Sequence, residues 1–131
     1  MMDCKRALEE AGGDFNLAKQ LIEKQGLIKA EKKTERATGA GLLEAYVHNG
    51  RVGVLLEIRS ETDFVAHSEP VKTLTHNLAL QIVAMAPETV YDLLKQPYVK
   101  DESKTVEDLI KGTIAMVGEN LKVARFARYQ I

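Results

Sequence analysis

The chain has 131 residues, of which 45% are apolar and 28% are charged, close to the averages of soluble globular proteins. Its net charge of −1 argues against a bulk nucleic-acid binder, which needs a basic face to displace counterions from phosphates. No apolar run approaches the roughly 20 residues that span a bilayer, and no signal segment opens the chain. A single cysteine, Cys4, fits a reducing compartment. We therefore expect a soluble, cytoplasmic protein of one domain, or of one domain with a small appendage, without membrane contact.

The first 26 residues predict a small helical module. Apolar side chains fall on one helical face over residues 4–11 and again over residues 14–22, with Gly12-Gly13 between them and Gly26 expected to end the second helix. Two helices this short cannot bury their apolar stripes alone, so we expect that a preceding helix is missing or that the stripes pack elsewhere. Residues 27–38 mix both signs of charge and predict a solvated linker or helix.

From Gly41 the pattern changes to a period of two, which predicts a β-hairpin. Leu43, Ala45 and Val47 alternate with polar neighbours, and Asn49-Gly50 is the sequence that a type I′ turn favours. The return strand is predicted over Arg51–Arg59. Its apolar residues fall on one face, and Leu55 on the other face suggests that both faces are partly covered. The apolar set is Val52, Val54, Leu56 and Ile58.

Two helices and a last strand follow. Ser68 and Pro70 predict a helix start, and Pro87 its end. A helical turn is expected at Tyr91–Leu94 and an extended segment over residues 96–101. Thr105 and Asp108 resemble a capping box, and Gly118 is expected to end that helix. Residues 121–131 predict a strand in which Leu121, Val123 and Ile131 alternate with Lys122 and Arg128.

These elements predict an α+β fold: the final strand joins the hairpin in a three-stranded antiparallel sheet with helices packed on one face. We expect three parts, a helical module over residues 1–26, a charged linker or helix over residues 27–38 and a core domain over residues 39–131.

The sequence holds no pattern typical of an active site. His48, His67 and His76 lack metal-ligand spacing, and Gly39-Ala40-Gly41 lacks the Lys-Ser/Thr of a phosphate loop. No nucleophile motif is present, and the paired carboxylates lie in polar runs. We therefore expect a binding module with no metal and no cofactor, rather than an enzyme.

Asp63-Phe64 lies in a polar turn after the predicted hairpin, in a chain with few aromatic residues. Two interpretations are open. Phe64 caps the hydrophobic core, or it is an anchor that inserts into a partner, as large apolar side chains do at interface hot spots. Asp63 either holds the turn by bonding its own backbone or supplies an acidic group.

Five ordered segments resemble translation elongation factor Ts. The first matches the second and third helices of that family's ubiquitin-associated-like module, and the third is the family's best-known signature. The segments are Met1–Asp14, Gly50–Glu57, Glu61–Ala66, Gln96–Asp101 with Thr105-Val106, and Gly118–Phe126.

The resemblance implies a guanine-nucleotide exchange factor that promotes GDP release from elongation factor Tu, a GTPase, during translation elongation. It implies that Thr62, Asp63, Phe64 and Val65 form a turn that intrudes near the magnesium site and phosphate loop of that GTPase. It also places Met1, Met2 and Lys5 in a module that touches the GTPase domain. Gln81 stands where some members carry a contacting histidine.

The chain also departs from the family pattern. Members carry a helix before the position of Met1 and, in short forms, a further helical stretch between the positions of Pro87 and Gln96. Short, single-core members are expected to act as homodimers, and an organellar stroma or matrix is the alternative location. Two other functions stay open: a ribosome-associated or RNA-contacting protein using Arg125, Phe126, Arg128 and Tyr129, and a truncated chain without exchange activity.

Overall fold

The computed structural model describes residues 22–28, 30 and 33–131. The module predicted over residues 1–26 therefore lies largely outside the described residues, which leaves Met1, Met2 and Lys5 without a structural test. The prediction that Gly26 ends a helix is wrong, because residues 22–28 are all helical. A Cβ atom at Gly26 would lie 3.4 Å from Cβ of Ala115, an ordinary contact distance, so this helical segment lies beside Ala115. Ala30 is fully buried, so the predicted linker is not solvated throughout.

The core begins with two strands, which are followed by three helices, two short strands, a helix and a last strand. In order, its elements are β1 (Ala40–His48), β2 (Val52–Ser60), α1 (Asp63–Ala66), α2 (Glu69–Met85), α3 (Val90–Lys95), β3 (Pro97–Tyr98), β4 (Asp101–Thr105), α4 (Val106–Val117) and β5 (Leu121–Gln130).

The strands β1, β2 and β5 form a three-stranded antiparallel sheet in the order β1-β2-β5. Asn49 and Gly50 have φ values of 54° and 66°, the paired positive angles that a type I′ hairpin turn requires. Strand β5 pairs with β2 along the edge opposite β1. The α+β fold and its three-stranded sheet are thus confirmed. The short hairpin of β3 and β4 forms a separate two-stranded sheet that the sequence did not predict.

The helix boundaries follow their predicted signals. Ser68 precedes α2 with Pro70 in its first turn, and Ala86 ends it in the left-handed region just before Pro87. The capping box of Thr105 and Asp108 is present at the start of α4, and Gly118 closes that helix with φ 78°.

The hydrophobic core lies between the sheet and the helices. Side chains from β2, the inner face of α2, α4 and the first half of β5 are buried together, and Leu93 of α3 joins them. The largest contributors are Leu56, Ile58, Val71, Leu74, Leu78, Ile82, Leu93, Val106, Ile110, Ile114, Leu121 and Val123.

The last strand differs from its predicted alternation. Arg125 pairs with Glu57 but Val123 pairs with Ile58, so β5 carries an extra residue at Ala124. A β-bulge of this kind turns the side chains that follow it to the other face. Arg128 therefore lies on the helix side, while Ile131 is 90% exposed, contrary to the prediction for both residues.

The bulge gives Arg128 a structural role at the end of α2. Its guanidinium donates hydrogen bonds to the carbonyl oxygens of Ile82 and Val83, at 3.1 and 3.2 Å. Both carbonyls belong to the last turn of the helix. That of Ile82 also accepts a hydrogen bond from the amide of Ala86, whereas that of Val83 faces Pro87, which has no N–H to donate.

Candidate partner-binding surface

Phe64 projects from the first turn of α1, immediately after the central strand β2 ends. Its side chain is 87% exposed, whereas the next residue, Val65, is 9% exposed and Ala66 is fully buried. The interpretation that Phe64 caps the core is therefore wrong, because its neighbours fill that place. The interpretation as an anchor agrees with the observed exposure, since exposed aromatic side chains at the centre of a rigid surface are typical of interface hot spots.

Local hydrogen bonds fix the backbone that carries Phe64. Ser60 Oγ, buried at the end of β2, donates to the carbonyl oxygen of Thr62 at 2.8 Å. Thr62 is the N-cap of α1, and its Oγ1 accepts a hydrogen bond from the amide of Val65 at 3.3 Å. Ser68 Oγ donates to the carbonyl of Val65 at 2.6 Å, which closes the turn from the other end.

The connection between α4 and β5 supports the same turn from outside. The carboxylate of Glu119 accepts hydrogen bonds from the Thr62 amide at 3.0 Å and from Thr62 Oγ1 at 2.9 Å. The amide of Asn120 donates to Glu61 Oε2 at 2.6 Å. Sequence reasoning did not find this contact, because the partners are 57 and 59 residues apart and no local pattern joins them.

Asp63 is exposed beside Phe64. The sequence left open whether Asp63 holds the turn, and the structure gives the capping bond to Thr62 instead. The carbonyl oxygen of Asp63 lies 2.9 Å from Nδ1 of His67, which is also exposed. The imidazole of His67 is thus held against the backbone of the turn that carries Phe64.

Gln81 lies in the interior, away from this surface. Its side chain is 0% exposed on α2. Its Nε2 donates to the carbonyl of Pro97 at 3.1 Å, and its Oε1 accepts from the amide of Val99 at 2.9 Å. The Gln81 amide therefore ties α2 to the chain around β3, and no polar atom of it faces solvent.

The four basic and aromatic residues of β5 are divided between the two faces of the sheet. Arg125 Nε donates to Glu57 Oε1 at 2.9 Å, and this bond is the first cause that lowers the pKa of Glu57. Arg128 is bonded to the carbonyls of α2, and Phe126 packs against the core. Tyr129 pairs with Gly53 and lies with Arg125 on the outer face, away from Phe126 and Arg128. This division gives no support to the alternative of an RNA-binding strand.

Among residues 22–28, 30 and 33–131, no group of three or more His, Cys, Asp or Glu residues could hold a metal ion. Among the same residues, no helix has both the length and the hydropathy that a membrane crossing requires.

Fold and site together define an α+β module that presents one exposed aromatic side chain on a braced turn. A sequence model of the family described as elongation factor TS matches residues 15–90 and 61–131. The chain belongs to the elongation factor Ts family.

Curated relatives agree with this assignment. Elongation factor Ts of Coprothermobacter proteolyticus is 41% identical, over 99% of this chain and 89% of its own length. The chloroplastic factor of Cyanidioschyzon merolae is 40% identical, over 98% of this chain and 85% of its own. This chain spans 16% of the length of the chloroplastic EF-Ts polyprotein of Oryza sativa subsp. indica, to which it is 40% identical.

The match to the Coprothermobacter protein extends over 176 aligned positions, more than the 131 residues of this chain. That relative therefore carries residues, within the matched range, that this chain lacks. Their position between Pro87 and Gln96 stays a prediction. In this chain the short helix α3 lies between these two residues, and its Leu93 is buried in the core.

Proposed function

We propose that this chain is a guanine-nucleotide exchange factor that promotes GDP release from elongation factor Tu and performs no covalent chemistry of its own. The observation that carries the proposal is the exposure of Phe64 on a turn fixed by hydrogen bonds. Family membership supplies the partner, because the relatives are named as elongation factor Ts.

Exchange needs no catalytic group. A GTPase holds GDP through contacts to its phosphates and to Mg²⁺. A factor that binds the nucleotide-free form better than the GDP-bound form must weaken nucleotide binding by the same factor, by linkage. A ten-thousandfold weakening corresponds to about 5.5 kcal/mol of differential binding. A few buried anchors supply free energies of this size.

We assign the central contact to Phe64, with Asp63 beside it. Val65 packs in the core and Thr62 caps α1, so we propose that their part in binding is to orient Phe64. Gln81 is left out of the contact surface because its side chain is buried and hydrogen-bonded. Met1, Met2 and Lys5 remain proposed contacts of the N-terminal module, on the resemblance alone.

We further propose that the chain forms a homodimer through the outer face of the three-stranded sheet. This face, which is turned away from the helices, carries exposed apolar side chains in adjacent rows, since Ala45 pairs with Leu55 and Leu55 with Ala127. Leu55 is 50% exposed and Tyr129 is 78% exposed. Apolar patches of this kind mark protein interfaces, and a second copy would offer the same face by two-fold symmetry. The other large exposed side chains of the face are Leu43 and Val47.

The same relatives support a proposal for the compartment. They include bacterial proteins and chloroplastic ones. We propose that the chain acts in a bacterial cytoplasm or in the stroma or matrix of an organelle.

Release of labelled GDP from purified elongation factor Tu tests the exchange function. We expect the chain, added to the GDP complex in the presence of excess unlabelled GDP, to accelerate release, with a rate that saturates as the concentration of the chain rises. Heat-denatured chain at equal concentration is the control. A release rate equal to that of the control would contradict the proposal and would favour the alternative of a truncated chain without exchange activity.

A further inference from the structure

We propose that Glu119 is a positioning residue for nucleotide exchange, which acts through Thr62 on the direction in which Phe64 projects. This inference rests on the proposed exchange function. Its structural basis is a pair of hydrogen bonds between Glu119 and Thr62, the N-cap of α1. The Glu119 carboxylate accepts one from the backbone amide of Thr62 and one from its hydroxyl.

The geometry gives Glu119 control over the turn. Thr62 stands between β2 and the first helical residue, Asp63, so its orientation sets where Phe64 emerges. Its hydroxyl accepts from the Val65 amide while it donates to Glu119. A hydroxyl can make both bonds at once, because it donates its single proton in one and accepts with an oxygen lone pair in the other. Loss of the carboxylate would remove the external partner of the cap and leave Ser60, Ser68 and the burial of Val65 to hold the turn, which would widen the range of its orientations.

The segment that bears Glu119 is anchored independently of it. Gly118 ends α4 in the left-handed region with φ 78°. Asn120 is buried, and its backbone amide donates to Glu61. Its side-chain Nδ2 donates to the carbonyls of Thr34 at 3.2 Å and Arg36 at 2.8 Å. These bonds do not involve the Glu119 side chain, so its removal leaves the connection in place.

This arrangement predicts an effect on pre-organisation rather than on contact area. An anchor held in its bound direction loses less conformational freedom when the partner binds. Phe64 keeps the same exposed surface without Glu119, yet would reach its pocket from a broader set of orientations. The effect of Glu119 on exchange should therefore depend on the presence of Phe64. A general contribution of Glu119 to folding would not depend on Phe64.

The test combines kinetics with hydrogen exchange. For Glu119→Ala we expect the saturating rate of GDP release to fall about tenfold, near the lower end of the effect of losing a hydrogen bond to a charged group, with a smaller change in half-saturating concentration. Glu119→Gln keeps one acceptor oxygen and should give an intermediate rate. In a Phe64→Ala background, Glu119→Ala should have no further effect. Amide exchange over residues 60–66 should rise in Glu119→Ala, with the rest of the core unchanged.

The control is Glu102→Ala, an exposed acid on β4, which should behave as the wild type in both measurements. Unchanged amide exchange over residues 60–66, a wild-type release rate, or a Glu119→Ala effect of equal size with and without Phe64 would each overturn the positioning role. A wild-type chain that fails to accelerate release would overturn the exchange function itself. In that case the hydrogen-exchange result would still show whether Glu119 braces the turn.

Discussion

Phe64 and Val65 are consecutive residues of one helical turn, yet their side chains have opposite environments. Phe64 is 87% exposed and Val65 is 9% exposed, in contact with the core that includes Leu121 and Ile58. Burial of apolar surface stabilises a fold, whereas an exposed ring contributes little. The two side chains therefore have different roles: Val65 holds the turn against the domain, and Phe64 remains accessible to a partner.

This division predicts opposite effects of alanine on stability. Val65→Ala should lower the free energy of unfolding by about 1–2 kcal/mol, because it removes two buried methyl groups. Phe64→Ala should change it by less than about 0.5 kcal/mol, as for other exposed positions. Urea denaturation followed by circular dichroism measures both values. A loss of stability in Phe64→Ala as large as that in Val65→Ala would show that the ring packs against the domain.

Gln81 should be important for stability rather than for exchange. Gln81→Ala leaves a cavity and removes the buried partner of the Val99 amide and the Pro97 carbonyl, so we expect a loss of about 2–4 kcal/mol. The exposed residue Gln130, replaced by alanine, is the matched control. Denaturation curves give the stability, and GDP release at a temperature where both variants are folded gives the exchange rate. A folded Gln81→Ala chain with wild-type stability but slower exchange would restore Gln81 to the contact surface.

The pH dependence of stability should include a contribution from Glu57. Hydrogen bonds from Arg125 and Arg59 lower the pKa of its carboxyl below the ordinary value of 4.5. A carboxyl whose pKa is lower in the folded state stabilises the fold above its unfolded pKa, and this contribution disappears as the pH falls through the folded value. Between pH 7 and pH 3 the wild type should therefore lose more stability than Glu57→Gln does.

Thermal unfolding of both proteins across this pH range provides the measurement, with Glu88→Gln, an exposed site, as control. The Glu57→Gln curve should run closer to the wild-type curve at pH 3 than at pH 7. Parallel curves over the whole range would contradict a stabilising role for the bonds between Glu57 and its two arginines.

The outer face of the sheet should control self-association. Leu55→Lys introduces a charge at the centre of the apolar rows of β1, β2 and β5 and should shift a dimer to monomer at micromolar concentration. Met116→Lys, which changes an exposed apolar residue on α4, should leave the dimer intact. Sedimentation velocity distinguishes the two states. A monomeric wild type, or a dimer that survives Leu55→Lys, would contradict the proposed interface.

Local signals in the sequence were sufficient for much of the fold. Asn49-Gly50 specified the hairpin turn because few other residue pairs take two positive φ values. Thr105 and Asp108 specified the start of α4, because their side chains satisfy backbone amides only a few residues away. Both features depend on neighbours in the chain, which a single sequence displays directly.

Features that depend on distant residues could not be predicted. The alternation of β1 identified a strand, but Leu43 and Val47 lie on the face away from the helices, while Tyr46 packs against the core. Alternation shows two faces and does not say which one is covered. The extra residue at Ala124 and the bond between Glu119 and Thr62 likewise arise from pairing of remote segments.

The candidate site was predicted in part for the same reason. The signature around Phe64 is contiguous and was visible as a motif. Its exposure was not, because an aromatic residue in a turn more often caps the core than contacts a partner, and the sequence does not show which of the two it does. For Gln81, the sequence showed its position in a helix but not its burial. That burial, against Pro97 and Val99, depends on how the chain after α3 folds back.

Release of fluorescent GDP from elongation factor Tu, compared between the wild type and Phe64→Ala, is the most direct test of the central claim. Tyr91→Ala, which removes another exposed aromatic ring from α3, is the control. We predict that Phe64→Ala slows the stimulated release by roughly thirtyfold, the effect of losing an anchor of about 2 kcal/mol, while Tyr91→Ala matches the wild type. A Phe64→Ala chain that releases GDP as fast as the wild type would contradict the claim that this ring drives exchange.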